Sequence, residues 1–459
     1  MRKHHLRFSS AIFVAVAIIG AGVLLAAPRS KKDKNPPPVP TAGDANAIPA
    51  TFFAMNNTDP RDPVRVPIGT QGHPSALVWG WVGPQKNRFD WSVFDQFVKD
   101  APKDQNGVAQ IVLTLGKTPG WAVSNESSCV SKWGRTQCTK PPDNIEDWKT
   151  FLNALVDHYN GKSAPHVAYY ELWNETTLPG FWTGSVEQMV ALGEAAYPII
   201  HKDPYSKLVG PSVVGPSNDK GSKAPRWLND YLKAGGGKYM DAITFHGYIA
   251  APAAPNWPEY PFPHEDDASS CSGPRRERCN GSILTMVRML REVADDNGLS
   301  QLPIFNTEGS WGTFTVRDPE AQIAWIAQYY ILQAGMYNQY KLQQVSWFTW
   351  GHGSQQPWGT VETDSHEPNQ AGRAYAQVHD WLLGATVSPC YQEKGLWSCA
   401  LTRPSGYKGL IVWSGSGDKS FSPPSGFTQV RDLSGSTQKA GGGSVPVGRK
   451  PVLLETGAP

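Results

Sequence analysis

The chain has 459 residues, which is longer than one typical domain and predicts a large folded domain with a smaller additional unit. The formal net charge is +2 and charged residues make up 18% of the composition, which argues against a nucleic-acid-binding surface. The 18 Trp and 16 Tyr side chains offer flat, partly polar faces that suit sugar rings, although most such residues serve in protein cores.

The N-terminus has the pattern of an export segment. A basic start precedes an apolar run at residues 11–27, and a Lys- and Pro-rich stretch follows. Residues 1–28 are therefore predicted to be a signal peptide or an N-terminal membrane anchor, and residues 29–48 a disordered linker. Both alternatives stay open, because the run is only just long enough to span a bilayer and Pro28 hinders cleavage after Ala27. The protein is expected outside the cytoplasm, either secreted or tethered.

Short apolar runs alternate with helical patterns between residues 49 and 386. The predicted strands lie at 51–55, 75–79, 109–115, 167–173, 207–211, 241–247, 303–308 and 344–350. Helix starts are expected after Asn144, at the capping box of Ser185 and Gln188, and after Asp318. This order predicts an α/β fold, a (β/α)8 TIM barrel. An open doubly wound sheet is the alternative, but no glycine-rich phosphate turn follows the first strand.

The amino-acid composition of the chain changes near residue 387. Residues 387–459 are rich in Gly and Ser and carry short apolar pieces separated by turn residues. They are predicted to form a small antiparallel β-sandwich domain that packs on the barrel.

Six cysteines fall into three close couples. They are Cys129 with Cys138, Cys271 with Cys279, and Cys390 with Cys399. In an exported chain such couples predict three local disulfides, and the absence of a CxxC pattern argues against a zinc site.

Several predicted strands end in groups that can take part in chemistry. In chain order these are Asn174, Glu175, His246, Tyr248, Glu308 and Trp350. The carboxyl ends of barrel strands meet at one mouth, so glutamates from strands four and seven are expected about 5 Å apart. That separation is typical of glycosidases that retain anomeric configuration.

The motifs "ELWNE", "FHGY", "FNTEG" and "SWFTWG" resemble those of the clan of (β/α)8-barrel retaining glycoside hydrolases. The likeness is closest to family 39 and its bacterial relatives, covers roughly residues 50–459, and includes "LTLGKTPGW" at the third strand. The resemblance implies that Glu175 is the acid/base and Glu308 the nucleophile. It also implies that Asn174 bonds the sugar 2-hydroxyl, Tyr248 orients Glu308, Trp350 lies beneath the ring, and the substrate is β-linked.

Four further residues are candidates for contacts with the sugar. They are His246, Trp121 and Trp311, which lie at or after strand ends, and His73. Members of the clan often carry an arginine near the end of strand two, and this chain has Gly72 and His73 there instead. We hypothesise that His73 takes the place of that arginine.

These observations predict a retaining glycosidase that acts on an extracellular or cell-envelope polysaccharide or oligosaccharide. No cofactor, metal or nucleic-acid partner is expected, and residues 11–27 are the candidate membrane tether. A catalytically silent carbohydrate-binding barrel and a transglycosylase that uses the same site are the alternatives. The sequence does not specify the sugar, endo or exo action, or the oligomeric state.

Overall fold

The computed structural model describes residues 45–457, apart from residues 58, 60–61, 73–77, 126, 128, 133–134, 216, 218, 249–281, 312–317, 352–358, 416 and 441–442. The predicted export segment, most of the linker, His73 and the Cys271–Cys279 couple lie outside the described residues. Within those described ranges, no helix is long and apolar enough to cross a membrane.

Eight parallel strands form the central sheet, which confirms the barrel prediction. They are β1 (Phe53–Asn57), β2 (Thr70–Gly72), β3 (Ala109–Thr114), β4 (Val167–Glu171), β5 (Lys207–Val209), β6 (Ile243–His246), β7 (Ile304–Glu308) and β8 (Leu342–Trp350). Their order in the sheet is β5, β4, β3, β2, β1, β8, β7, β6. A parallel bridge between Val213 and Phe245 joins the chain after β5 to β6, and the His246 N–H donates to the Val213 carbonyl oxygen at 2.9 Å. These contacts close the barrel.

Helices surround the barrel. The described ones are α1 (Val78–Val82), α2 (Ser92–Asp100), α3 (Ile145–His158), α4 (Val186–Ile200), α5 (Lys223–Lys233), α6 (Ile283–Asp296), α7 (Pro319–Ala334), α8 (Tyr337–Tyr340) and α9 (Gln370–Leu382). The three predicted helix starts are confirmed: Asn144 caps α3, Ser185 and Gln188 form a capping box on α4, and Asp318 caps α7. Each cap satisfies backbone N–H groups that the first helical turn leaves without partners.

The predicted second strand at 75–79 is wrong where it can be compared: residues 75–77 lie outside the described residues, and residues 78–79 are helical. Residues Val78–Val82 form a short helix, and the strand at this place in the barrel is Thr70–Gly72. The apolar residues predicted as strand serve the outer core instead, because the Trp79 ring packs 5.2 Å from the ring of Trp148 on α3. A Cβ atom at Gly72 would lie 1.6 Å from Asn56 Oδ1, so the real strand contains a glycine where β1 approaches closely.

Apolar side chains fill the lower part of the barrel interior. Val112 on β3, Tyr169 on β4 and Phe305 on β7 belong to one cluster, and the Tyr169 and Phe305 rings meet edge to face at 5.1 Å. Successive side chains of a strand point to opposite faces, so the residues two positions further along these strands form the next layer upward. That next layer is polar and lies directly beneath the mouth.

The C-terminal residues form antiparallel sheets, as predicted. The strands are β9 (Thr386–Val387), β10 (Tyr391–Glu393), β11 (Leu396–Thr402), β12 (Lys408–Ser414), β13 (Lys419–Phe421), β14 (Gln429–Arg431), β15 (Thr437–Lys439), β16 (Val445–Val447) and β17 (Val452–Glu455). A seven-stranded sheet faces a two-stranded one made of β13 and β16, and Val412, Leu454 and Val447 pack between them. The described residues form one compact unit, and the domain boundary at residue 387 stays a prediction.

Two of the three predicted disulfides lie within the described residues and are formed. Cys129–Cys138 closes a hairpin after β3, and Cys390–Cys399 joins the start of the C-terminal sheets to β11. Both bridges link cysteines nine residues apart, so each closes a short local loop as expected.

Candidate active site

Glu175 and Glu308 meet at the mouth of the barrel. A carboxylate oxygen of each lies within 4.8 Å of the other, and their side chains are 12% and 18% exposed. Glu308 is the last residue of β7, and Glu175 follows β4. The two carboxylates therefore come from opposite sides of the barrel, are close enough to act on one bond, and remain accessible.

The backbone around Glu175 holds the side chain in an unusual position. Its φ is +43°, in the left-handed region that costs a non-glycine residue about 1–2 kcal/mol. The Glu175 N–H donates to Ser212 Oγ at 3.0 Å, and the Ser212 N–H donates to the Trp173 carbonyl oxygen at 2.9 Å. These bonds from the loop after β5 maintain the strained conformation, which is a common feature of functional sites.

His246 and Tyr248 contact the two carboxylates. His246 Nδ1 lies 2.9 Å from Glu175 Oε1 and 3.3 Å from Glu308 Oε2, and its side chain is fully buried. The Tyr248 hydroxyl donates to Glu308 Oε2 at 2.9 Å. Among the described residues, His246 is the cation that touches both glutamates.

Burial and mutual charge shift the pKa values of this cluster. Burial raises the pKa of Glu308, the imidazolium of His246 opposes that rise, the charge of Glu175 adds to it, and the result is about 7. Burial lowers the pKa of His246, but the charges of Glu308 and Glu175 outweigh burial and raise it to about 9. The pair of carboxyl groups therefore loses its last proton near neutral pH, beside an imidazolium that stays charged.

Asn174 is the predicted partner of the sugar 2-hydroxyl, and the structure places it beside Glu175. Its side chain is buried, with the residue 3% exposed. Among the described residues, its Oδ1 atom has no hydrogen-bond partner. A buried amide oxygen of this kind is costly unless a donor reaches it, so a ligand hydroxyl would stabilise it.

The tryptophan side chains that were predicted to contact the sugar are largely surrounded by protein. Trp350 is fully buried and its indole N–H donates to Asp62 Oδ2 at 3.1 Å, and Trp311 is only 2% exposed and packs against core rings. Trp121 is half-buried, and its indole N–H donates to the Gly83 carbonyl oxygen at 2.8 Å. Protein surrounds these rings on most sides, and their contacts with sugar stay predictions.

Glu171 is a buried carboxyl group that the sequence reading did not single out. It is 1% exposed and lies in the polar layer below the mouth. Burial raises its pKa, while His246 and several hydroxyl groups oppose the rise. The available signal was an acidic residue within the apolar run "VAYYELW", in phase with the inward-facing Tyr169.

Lys117 was also not singled out. It follows β3, is half-buried, and its ammonium group donates to the Gly180 carbonyl oxygen at 2.8 Å while lying 4.7 Å from the centre of the Phe181 ring. Burial lowers the pKa of Lys117, and the charge of Glu175 opposes that change. A cation thus lies on the side of the mouth that carries Glu175.

In the part of the chain that the structure describes, two groups of side chains have donor atoms close enough to hold a metal ion. One is the Glu175, His246 and Glu308 cluster, and the other is Asp62, Glu362 and His366. In the first, the protonated His246 directs its Nδ1–H at Glu175 and offers no lone pair at that atom. In the second, His366 Nδ1 lies 2.8 Å from Asp62 Oδ2, which also accepts the Trp350 indole N–H. In each cluster the histidine thus forms a hydrogen bond with a carboxylate of the protein.

Several solved structures of glycoside hydrolases share this fold. A family 39 glycoside hydrolase from Bacteroides cellulosilyticus WH2 is 18% identical over 89% of this chain and 81% of its own, with a TM-score of 0.63. A family 39 β-xylosidase from Caulobacter crescentus is 16% identical over 89% of this chain and 97% of its own, with a TM-score of 0.58. CelM2, a bifunctional glucanase-xylanase from a metagenome library, is 12% identical over 89% and 96%, with a TM-score of 0.57.

Comparison of sequences alone does not reveal a related family. No protein-family model matches the chain, and no curated protein matches it. The relationship is therefore one of three-dimensional structure: the chain shares the (β/α)8-barrel fold of the family 39 glycoside hydrolases and of their wider clan.

Proposed function

We propose that this protein is a retaining glycoside hydrolase that works by double displacement with two glutamates. The observation that carries the proposal is the separation of at most 4.8 Å between carboxylate oxygens of Glu175 and Glu308. Retaining enzymes hold their carboxyl groups about 5 Å apart, whereas inverting enzymes leave about 6.5–9.5 Å for a water molecule. The structural neighbours named above are glycoside hydrolases, and their fold supports the same reaction class.

In the first step, ionised Glu308 attacks the anomeric carbon while Glu175 gives its proton to the departing glycosidic oxygen. A bond forms between Glu308 and the sugar as the glycosidic bond breaks. The negative charge of Glu308 is then lost into an ester, so Glu175, which has given up its proton, can remain ionised. In the second step, Glu175 removes a proton from water, and the resulting hydroxide displaces Glu308 from the sugar.

The surrounding residues have supporting roles in this proposal. The Tyr248 hydroxyl and the His246 imidazolium stabilise the ionised form of Glu308, and both contacts lower its pKa. His246 also donates to Glu175 at 2.9 Å and fixes the orientation of that carboxyl group. Asn174 Oδ1, buried and without a partner among the described residues, accepts the 2-hydroxyl of the reacting sugar.

We further propose that the substrate is an extracellular or cell-envelope polysaccharide or oligosaccharide with β linkages. Two disulfides within the described residues favour an oxidising compartment outside the cytoplasm. The neighbours named as a β-xylosidase and a glucanase-xylanase make β-xylosides and β-glucosides the first substrates to test.

The proposal is tested by hydrolysis of a panel of aryl β-glycosides. We expect turnover by the wild-type chain, a loss of at least about a thousandfold in Glu308→Gln with an unchanged Tm, and retention of anomeric configuration in the first product seen by NMR. Binding of oligosaccharides without any turnover would contradict an enzyme and favour a silent carbohydrate-binding barrel. Inversion of configuration would contradict the double displacement.

A further inference from the structure

The carboxyl group of Glu171 takes part in no step of the proposed reaction, although it lies immediately below the reacting pair. Burying a carboxyl group in a barrel interior is unfavourable unless hydrogen bonds compensate. Two threonine hydroxyls do so: Thr114 donates to Glu171 Oε2 and Thr307 donates to Glu171 Oε1, each at 2.8 Å. Thr114 lies on β3 and Thr307 on β7, so one carboxylate joins three strands of the barrel.

The two threonines lie on strands that differ in whether they contain one of the two glutamates of the mouth. Thr307 immediately precedes Glu308, whereas β3 carries neither glutamate. Glu171 itself lies on β4, four residues before Glu175. The bond between Glu171 and Thr307 therefore connects the strand that leads to one glutamate with the strand that ends in the other.

The backbone at Thr307 explains why such a connection matters. The pairing of β7 with β6 shifts between Asn306 and Glu308, so Thr307 is an extra residue opposite a single step of β6. Asn306 directs its side chain away from the barrel interior to Tyr329 Oη on α7 at 2.6 Å, and Thr307 points inward to Glu171. A bulge of this kind re-aims the side chain that follows it, which here is Glu308.

A second bond holds the bulge from the opposite side. Asn56 Nδ2 on β1 donates to the Thr307 carbonyl oxygen at 3.0 Å. The Thr307 backbone is thus fixed by Asn56, and its side chain is fixed by Glu171. The position of Glu308 relative to Glu175 then depends on the bond between Thr307 and Glu171.

We propose that Glu171 is a positioning residue whose carboxylate bridges β4 and β7 and sets the separation of Glu175 and Glu308. This inference rests on the proposed glycosidase function. It predicts that the bridge to Thr307 controls turnover, whereas the equivalent bond to Thr114 contributes only to the stability of the barrel.

The chain offers a matched pair of variants for the test. Thr307→Val and Thr114→Val each replace a threonine that is 4% or 5% exposed and remove one bond of 2.8 Å to the same carboxylate. We expect both to lower Tm by similar amounts. Since a displacement of about 1 Å costs about a hundredfold in rate, Thr307→Val should lose at least about thirtyfold in kcat with little change in KM. Thr114→Val should lose less than about threefold, and Thr307→Ser should restore most of the activity.

A second pair of variants gives an independent measurement if Thr307→Val does not fold. Glu171→Gln keeps an oxygen that accepts from one threonine and an amide that donates to the other, whereas Glu171→Met has similar length and makes neither bond. We expect Glu171→Gln to stay within about tenfold of the wild-type kcat and Glu171→Met to fall well below it.

Equal losses of kcat in the two threonine variants, or in the two Glu171 variants, would overturn the positioning role. If the wild-type chain hydrolyses no glycoside, the proposed function itself fails. If the wild-type chain hydrolyses glycosides but the two variants of a pair lose kcat equally, only the positioning role of Glu171 fails.

Discussion

Substitution of Glu175 by alanine should remove the alkaline limb of the pH profile. At 4.8 Å, two carboxylates repel by about 3 kcal/mol with an effective dielectric constant of about 20. This repulsion lowers the acid dissociation constant of Glu308 more than about a hundredfold. This repulsion is one cause of the raised pKa of Glu308, which is about 7. In the wild-type chain, kcat/KM should therefore fall above about pH 7, where the pair loses its shared proton and no acid remains.

The assay is kcat/KM between pH 4 and 9 with an aryl glycoside whose phenol leaves without protonation. In Glu175→Ala this substrate requires only ionised Glu308, whose pKa falls because the neighbouring charge is gone. With this substrate we expect a rate that is constant above pH 7 in the variant. With an alkyl glycoside, whose leaving group needs a proton, we expect a descending limb in the wild-type chain. A descending limb with the same midpoint in both proteins would refute the reasoning, because another group would then control the fall.

Three other outcomes follow from the structure. Tyr248→Phe removes a bond of 2.9 Å that lowers the pKa of Glu308, so kcat should fall about tenfold or more and the alkaline limb should move to higher pH in the same assay. Asn174→Ala should weaken hydrolysis of an aryl glycoside by about a hundredfold but leave its 2-deoxy analogue almost unaffected, as judged by kcat/KM. Replacing Cys390 and Cys399 together by serine should lower the free energy of unfolding in urea by about 2–3 kcal/mol, because the bridge closes a short loop.

The barrel could be predicted from the sequence where buried strands are apolar. The runs around Leu113, Tyr170 and Val345 are strands in the structure, because strands covered on both faces need continuous apolar side chains. The second strand, Thr70–Gly72, escaped this signal because it is short and polar and is held by backbone bonds to its neighbours. The apolar residues after it, including Trp79, looked like a strand but pack as a helix.

The meeting of Glu175 and Glu308 could be predicted, but most of the contacts that support them could not. Glu308 ends β7 and Glu175 follows β4, both after clear apolar runs, so the barrel geometry brings them together. The roles of Glu171 and Thr307 depend on a local shift of register in β7, which has no sequence signature because threonine is an ordinary strand residue. The position of His246 between two carboxylates likewise follows from tertiary structure, since the sequence shows only a histidine at a strand end.

The proposed double displacement requires a covalent bond between the sugar and Glu308. Incubation with 2-deoxy-2-fluoro aryl β-xyloside and β-glucoside should inactivate the enzyme, because the fluorine slows both formation and hydrolysis of the intermediate, whereas the good leaving group speeds only its formation. Mass analysis of protease-derived peptides should then find the added sugar on the peptide that contains Glu308, and none in Glu308→Gln. Attachment of the sugar to Glu175, or full turnover of unmodified substrates without any labelled peptide, would contradict the proposed mechanism.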